Sequence, residues 1–351
     1  MSSATQVLTR KPQNVAIETN PAHELNLVDA ETPEPGPNEC LVHVRATGIC
    51  GSDVHFWKEG RIGSSIIDRP VGLGHESAGV VVKLGSQCER LKVGTSSSSS
   101  RCCPPPTAAD LVQGAKNCSL LHPGDRVALE CGVPCSKPTC SACRTGRYNA
   151  CPEVIFYSSP PVPGTLRRYH AHPEAWLHKL PDNMSFEEGA LLEPLSVALA
   201  GIERSGLRLG DNLVICGAGP IGMVTLLAAH AAGAGPVVIT DLDESRLAMA
   251  KKLVPRVRTV QIQKADDAQQ SAYLVKSALG AEAKLVIECT GVQSSIHTGI
   301  YVCSHPMPIF MHGDADFLIT QGLPIRRHRF HYWCRKGHSR DTVYECLFPG
   351  N

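Results

Sequence analysis

Leu213-Val214-Ile215-Cys216-Gly217-Ala218-Gly219-Pro220-Ile221-Gly222 decides the reading of this chain. Four apolar residues closed by glycine read as a fully buried strand. The glycines behind them keep the Gly-x-Gly-x-x-Gly spacing that bends a strand into a helix around a diphosphate. Gly217 makes the tight turn, Gly219 lets the pyrophosphate approach, and Gly222 allows close packing of helix on strand. Pro220 and Ile221 complete the motif, where the helix N-terminus meets the phosphate charge.

Such a motif alone is weak evidence, and its surroundings strengthen it. A helix from Gly222 to Ala232 leads to a second strand, Val237-Val238-Ile239-Thr240, which ends at Asp241. There the carboxylate accepts hydrogen bonds from adenosine ribose hydroxyls and repels a 2′-phosphate, so the expected cofactor is NAD. Arg246 could pair with such a phosphate; it is placed instead beside adenine or ribose. Leu285-Val286-Ile287-Glu288-Cys289 is a later strand of the same kind. From about Ser196, strands alternate with helices, which implies a doubly wound parallel sheet.

The region upstream has another texture. From Val15 to Val93 it is β-rich: Leu41–Ala46 alternates, Gly79–Val82 is β-branched, and Pro and Gly punctuate between them. A small barrel-like β domain is expected. It carries Gly48-Ile49-Cys50-Gly51-Ser52-Asp53-Val54-His55 and Gly74-His75-Glu76-Ser77-Ala78-Gly79. Cys50, His75 and Glu76 mix soft and hard donors in the way zinc prefers, and three protein ligands leave a position open for a substrate oxygen. Glu193, a carboxylate in an apolar stretch, reads as a fourth, exchangeable ligand, a partner of metal-bound water, or a helix N-terminal acid. Ser52 and His55 are candidates for a proton relay to solvent. A metal beside a nicotinamide points to hydride transfer.

Cys135, Cys140, Cys143 and Cys151 follow one another at gaps of four, two and seven residues. Four thiolates so close read as a closed structural zinc site, with paired disulfides as the alternative and Cys131 near enough to substitute. The remaining singles, such as Cys40, Cys216 and Cys289, read as small buried hydrophobes.

Composition bounds the rest. With 351 residues, 42% hydrophobic and 19% charged, the chain has room for two domains with sizeable cores. A formal net charge of +1 gives no electrostatic case for nucleic acid or an anionic membrane. The start is polar and no apolar run is long enough to span a bilayer, so the expected location is the cytoplasm. Sixteen cysteines do not make a disulfide scaffold of a chain this long.

Two stretches fit neither texture. Thr95–His122 opens with five serines and Arg-Cys-Cys-Pro-Pro-Pro, and it separates Leu91–Gly94 from Asp125–Glu130, which would otherwise read on smoothly. It is expected to be a disordered insert. After Val302 no strand or helix period survives, and Arg326–Arg329 with Trp333–Lys336 stands out only as a basic, aromatic run.

Taken with Gly146-Arg147-Tyr148-Asn149 and Leu192-Glu193-Pro194-Leu195-Ser196-Val197-Ala198, these motifs make the chain resemble the zinc-dependent medium-chain dehydrogenases. Within them it is similar to the polyol, sorbitol-like branch, and most to its fungal arabinitol-oxidising members. The likeness runs from about Val15 to Tyr301, apart from the insert. It implies a GroES-like β-rich catalytic domain over 1–195, a Rossmann domain over 196–301, a catalytic and a structural zinc, NAD and a homotetramer. The implied reaction is oxidation of L-arabinitol to L-xylulose, with xylitol and sorbitol as alternative substrates. A metal-free quinone reductase of the same superfamily would lack the Cys-Gly-Ser-Asp and four-cysteine elements.

Residues 302–351 depart from the family, which would place its last Rossmann strands there and return to finish the catalytic domain. Reading Arg326–Gly337 one nucleotide later can yield Gly-Gly-Ile-Gly-Phe-Ile-Thr-Gly-Val-Gly-Lys-Gly, and Asp341–Tyr344 can become Ile-Pro-Phe-Met. The tail is therefore read as an out-of-frame translation of a truncated Rossmann domain, and Thr95–His122 as a retained intervening sequence. A zinc- or NAD-binding remnant without turnover is the alternative function this raises.

Overall fold

The computed structural model describes residues 13–88 and 121–303, together with the backbone of two strands, Ile309–His312 and Phe330–Trp333. The chain divides into two compact units. One takes the residues up to Val133 together with Ile155–Leu192; the other takes Pro134–Val154 and everything from Glu193 onward. The four-cysteine lobe thus groups with the second unit, whereas the sequence places it with the first.

In the first unit, β1 (Asn14–Thr19), β2 (Leu25–Ala30) and β3 (Glu39–Gly48) precede helix α1 (Gly51–Glu59). The short strands β4 (Arg61–Ile62), β5 (Ser65–Ile66) and β6 (Val71–Gly72) lead into β7 (Glu76–Leu84). Then come β8 (Arg126–Leu129), β9 (Gly132–Val133), β10 (Ile155–Phe156), β11 (Tyr169–Pro173) and β12 (Leu177–Lys179). The main antiparallel sheet has the order β11-β3-β7-β8-β12, and a smaller one the order β2-β1-β6. Asn14 stitches them together: its side chain donates to the Tyr169 carbonyl at 3.1 Å and accepts the Tyr169 N–H at 2.8 Å.

Leu41 and Val82 face one core with Tyr169, while Cys40, Val42, Val81, Val127 and Leu129 face another. That alternation is the period of two expected of β3 and β7. Cys88 and Leu121 lie in the second of these cores. The residues that flank 89–120 therefore share one cluster.

In the second unit, α2 (Ser141–Arg144) lies in the cysteine lobe. In sequence, α3 (Phe186–Ala190) closes the first unit and α4 (Leu192–Ser205) opens the long stretch of the second. Next follow β13 (Leu213–Cys216), α5 (Pro220–Ala231), β14 (Val237–Asp241), α6 (Glu244–Leu253), β15 (Arg258–Gln261), α7 (Ala268–Leu279), β16 (Leu285–Glu288) and α8 (Gln293–Val302). All strand pairs here are parallel, in the order β15-β14-β13-β16. Leu213 and Ile215 enter the core on one face and Val214 and Cys216 the core on the other, so every residue of β13 is buried. That is why the strand is an unbroken apolar run. Strand order reverses between β13 and β16, where doubly wound sheets bind their ligands.

One expectation is corrected. After Val302 the sequence shows no period, yet β17 (Ile309–His312) pairs with β16, and β18 (Phe330–Trp333) pairs with β17. An open sheet edge offers unpaired N–H and C=O groups to any extended segment, and both segments carry strand-forming aromatic or β-branched residues. Tertiary templating supplies what periodicity lacked. Residues 95–120 of the insert and the rest of the tail lie outside the described residues, whereas Leu121 and His122 are described and Leu121, counted with the insert by the sequence, is buried in the core.

Candidate active site and metal centres

Cys50 ends the loop after β3 and caps α1 from an extended conformation. His75 and Glu76 stand where the chain enters β7. β3 and β7 pair with Gly48 opposite Glu76, so the strand ladder itself carries the two ligand segments together. The ligating atoms of Cys50, His75 and Glu76 all lie within 4.8 Å of one another. His75 is 1% and Glu76 8% exposed. A thiol, an imidazole and a carboxylate converging in a buried place fit one zinc ion with an open position.

Asp53, absent from the sequence-based candidates, organises this cluster. It is 3% exposed, and its Oδ2 accepts the Cys50 N–H at 3.1 Å. Its Oδ1 accepts the Gly74 N–H at 2.9 Å and the Ser158 hydroxyl at 2.8 Å, and lies 3.5 Å from His75 Nδ1. Burial alone would push the Asp53 carboxyl up; the bond and charge of His75 with the Gly74 and Ser158 donors outweigh it and hold the group below its usual value. A carboxylate behind a ligand histidine fixes its tautomer and leaves Nε2 for the metal. Position three residues after Cys50 was the available signal for Asp53. Ser158, 105 residues away, carried none.

Ser52 lies in the first turn of α1, its Oγ 3.4 Å from His75 Nε2. His55 follows three residues on and is exposed. Glu193 belongs to the second unit, in the first turn of α4, where the Ser196 hydroxyl donates to its carbonyl.

In the cysteine lobe, Cys135, Cys140, Cys143 and Cys151 also place their sulfurs within 4.8 Å of one another. Cys135 Sγ is 3.8 Å from Cys143 Sγ, and Cys140 Sγ is 3.9 Å from Cys151 Sγ. A tetrahedron with zinc–sulfur bonds of about 2.3 Å has edges of about 3.8 Å, whereas a disulfide needs about 2 Å. All four are free thiols. The Cys143 N–H, first among its neighbours, draws the Cys140 thiol down to about 7. Cys131 stays out: it is 1% exposed and packs with Val42 and Leu129 in the first unit.

The cofactor turn is formed as its spacing requires. Gly217 has φ +96°, a conformation that favours glycine. A Cβ at Gly222 would overlap the Gly217 carbonyl oxygen, while one at Gly219 would meet open space. Gly219 caps α5 and Pro220 begins it, with Ile221 behind. The Asp241 carboxylate accepts the Ala218 N–H at 2.7 Å through one oxygen and the Asp243 N–H at 2.9 Å through the other. The Arg246 guanidinium is turned to the acids Asp241 and Asp243, at 3.7 and 3.9 Å. The sequence-based expectation had set it against adenine or ribose.

This geometry has relatives. The alcohol dehydrogenase GroES-like domain matches residues 36–107 and again 107–182. An L-arabinitol 4-dehydrogenase of Penicillium rubens is 45% identical over 93% of this chain and 79% of its own length. The sorbitol dehydrogenase of Homo sapiens is 43% identical over 83% and 72%. A solved Escherichia coli oxidoreductase of unknown specificity superposes with a TM-score of 0.71 at 31% identity, over 88% of this chain and 80% of that one. Cysteine-rich lobe, glycine turn and buried donor triplet all agree with that kinship: the chain belongs to the zinc-dependent medium-chain polyol dehydrogenases.

Proposed function

We propose that the chain oxidises a secondary alcohol of a polyol to a ketose with NAD, and that the polyol is L-arabinitol and the product L-xylulose. The convergence of Cys50, His75 and Glu76 carries this reading. When bound, zinc lowers the pKa of the alcohol and nicotinamide takes the hydride. The residues then divide the remaining work. Cys50, His75 and Glu76 would hold the metal, with Glu193 as an exchangeable fourth ligand. Asp53 keeps His75 in the tautomer that presents Nε2. Ser52, beside Nε2, takes the proton, and His55, one turn further along α1, passes it to solvent. Cys135, Cys140, Cys143 and Cys151 would hold a structural zinc. Gly217, Gly219, Pro220, Ile221 and Gly222 would cradle the pyrophosphate, with Asp241 on the adenosine ribose.

Among the described residues no helix is long and apolar enough to cross a membrane. A cytoplasmic homotetramer is proposed from the kinship. The proposal that 95–122 is inserted sequence draws its support from the break of the domain match into two stretches at residue 107. Residues 302–351, read as out of frame, favour one second reading, a zinc- and NAD-binding relative without turnover.

The test is NADH formation from L-arabinitol, xylitol and sorbitol by purified protein whose zinc has been quantified. Fastest turnover with L-arabinitol at about two zinc ions per chain is expected, and Cys50→Ser should abolish it. Zinc-replete, folded protein that turns over no polyol would establish the second reading.

A further inference from the structure

Strand β16 ends on an anomaly. After Leu285, Val286 and Ile287 comes Glu288, 0% exposed, opposite Cys216 at the end of β13. Burying a carboxylate costs several kcal/mol unless donors surround it. Here they do. Glu288 Oε1 accepts the Thr290 N–H at 3.0 Å, the Thr290 hydroxyl at 2.5 Å and the Ser295 hydroxyl at 2.9 Å. Its Oε2 accepts the Gly291 N–H at 2.8 Å. A backbone N–H faces each oxygen, from Thr290 on Oε1 and from Gly291 on Oε2, so the site requires an acceptor on both sides of the group.

Three of the four donors belong to residues 290 and 291, in the loop that joins β16 to α8. Two further bonds tighten that loop: Thr290 Oγ1 accepts the Val292 N–H at 3.0 Å, and the Cys289 N–H donates to the Cys216 carbonyl at 2.8 Å. The loop in turn abuts the glycine turn. A Cβ at Gly217 would lie 2.6 Å from Thr290 Cγ2 and 3.5 Å from the Cys289 carbonyl carbon. Thr290 is thus the wall behind the first glycine of the fingerprint.

We infer that Glu288 is a positioning residue for the dinucleotide: its buried carboxylate folds residues 290–291 into a wall that sets the Gly217 turn against the pyrophosphate. This rests on the reading that the turn holds NAD. The Ser295 hydroxyl also reaches the Cys216 thiol, whereas the Thr290 and Gly291 N–H groups serve Glu288. Burial first, then the Glu288 charge, pushes Cys289 up to about 12 and Cys216 up as well. A glutamine at 288 must turn its NH2 toward an N–H or O–H donor, which breaks at least one bond and opens the wall.

The experiment measures NADH binding to the full, zinc-loaded chain by nicotinamide fluorescence, with melting temperature and zinc content alongside. Glu288→Gln should raise the NADH Kd roughly tenfold, the scale of one hydrogen bond to a charged group. Zinc content should hold, and KM for NAD should rise with kcat nearly unchanged. Thr290→Ser keeps the hydroxyl and removes only the methyl facing Gly217. It should raise Kd by about threefold with no change in melting. A folded Glu288→Gln that binds NADH as tightly as wild type overturns the inference; if that variant does not fold, an unaltered Kd in Thr290→Ser does so. Wild-type protein that fails to bind NADH at all would instead remove the cofactor reading beneath it.

Discussion

Gly48 faces Glu76 across the β3–β7 ladder so closely that a Cβ at Gly48 would lie 3.1 Å from the Glu76 Cβ and overlap its Oε2. The smallest residue thus makes room for a ligand carboxylate. Gly48→Ala should fold, because the ladder bonds are backbone bonds. It should also displace Glu76, so that metal analysis finds about one zinc per chain, the one in the cysteine lobe, and polyol oxidation falls on the order of 100-fold. Two zinc ions and full activity in that variant would contradict the geometry.

Asp53 holds three segments at once: the Cys50 N–H, the Gly74 N–H and Ser158, with His75 Nδ1 at 3.5 Å. Asp53→Asn should weaken zinc at the Cys50–His75–Glu76 site by roughly 10–100-fold, as outer-shell partners generally do. Competition with a chelator of known affinity reads this directly. Ser158→Ala, which leaves the carboxylate in place, should have the smaller effect.

The cysteine lobe should be separable from catalysis. Cys143→Ser breaks the set of four sulfurs, and the protein should retain one zinc per chain and measurable turnover. Its melting temperature should fall. A loss of about 2 kcal/mol corresponds to roughly 4–8 °C in a domain of this size. Equal melting with one zinc missing would mean the lobe contributes nothing to stability.

His170 and His172 are 3% and 0% exposed, with their rings bonded to each other at 3.4 Å. Burial above all holds His172 down to about 4 and His170 well below its usual value. The native state therefore refuses a proton that the unfolded chain binds near pH 6.5, so stability is complete above that pH and is lost as pH falls toward 4. For His172 the loss is about 3 kcal/mol over that window. His172→Gln should flatten the slope of unfolding free energy between pH 6.5 and 4 by about one proton, measured by denaturant titration. An unchanged slope would show that the histidine titrates normally in the fold.

Legibility differed between elements for definable reasons. Leu213–Cys216 and Val237–Asp241 are buried on both faces, so their composition alone announces them. β15, Arg258–Gln261, is an edge strand with exposed ends and no apolar run, and its identity comes from the neighbouring β14. β17 and β18 extend the same sheet from a stretch with no period at all. Cys131 could not be told from a metal ligand by spacing, since only packing beside Leu129 removes it from the cysteine lobe.

Read alone, the sequence determined the donor types, the glycine spacing and the alternation of strands with helices, because each follows from neighbours within a few residues. Only the tertiary structure decided which carboxylate steadies His75, which cysteine is excluded, and which loop backs Gly217. Those relations arise where strand register and chain reversal bring together atoms whose distance along the chain says nothing of their distance in space.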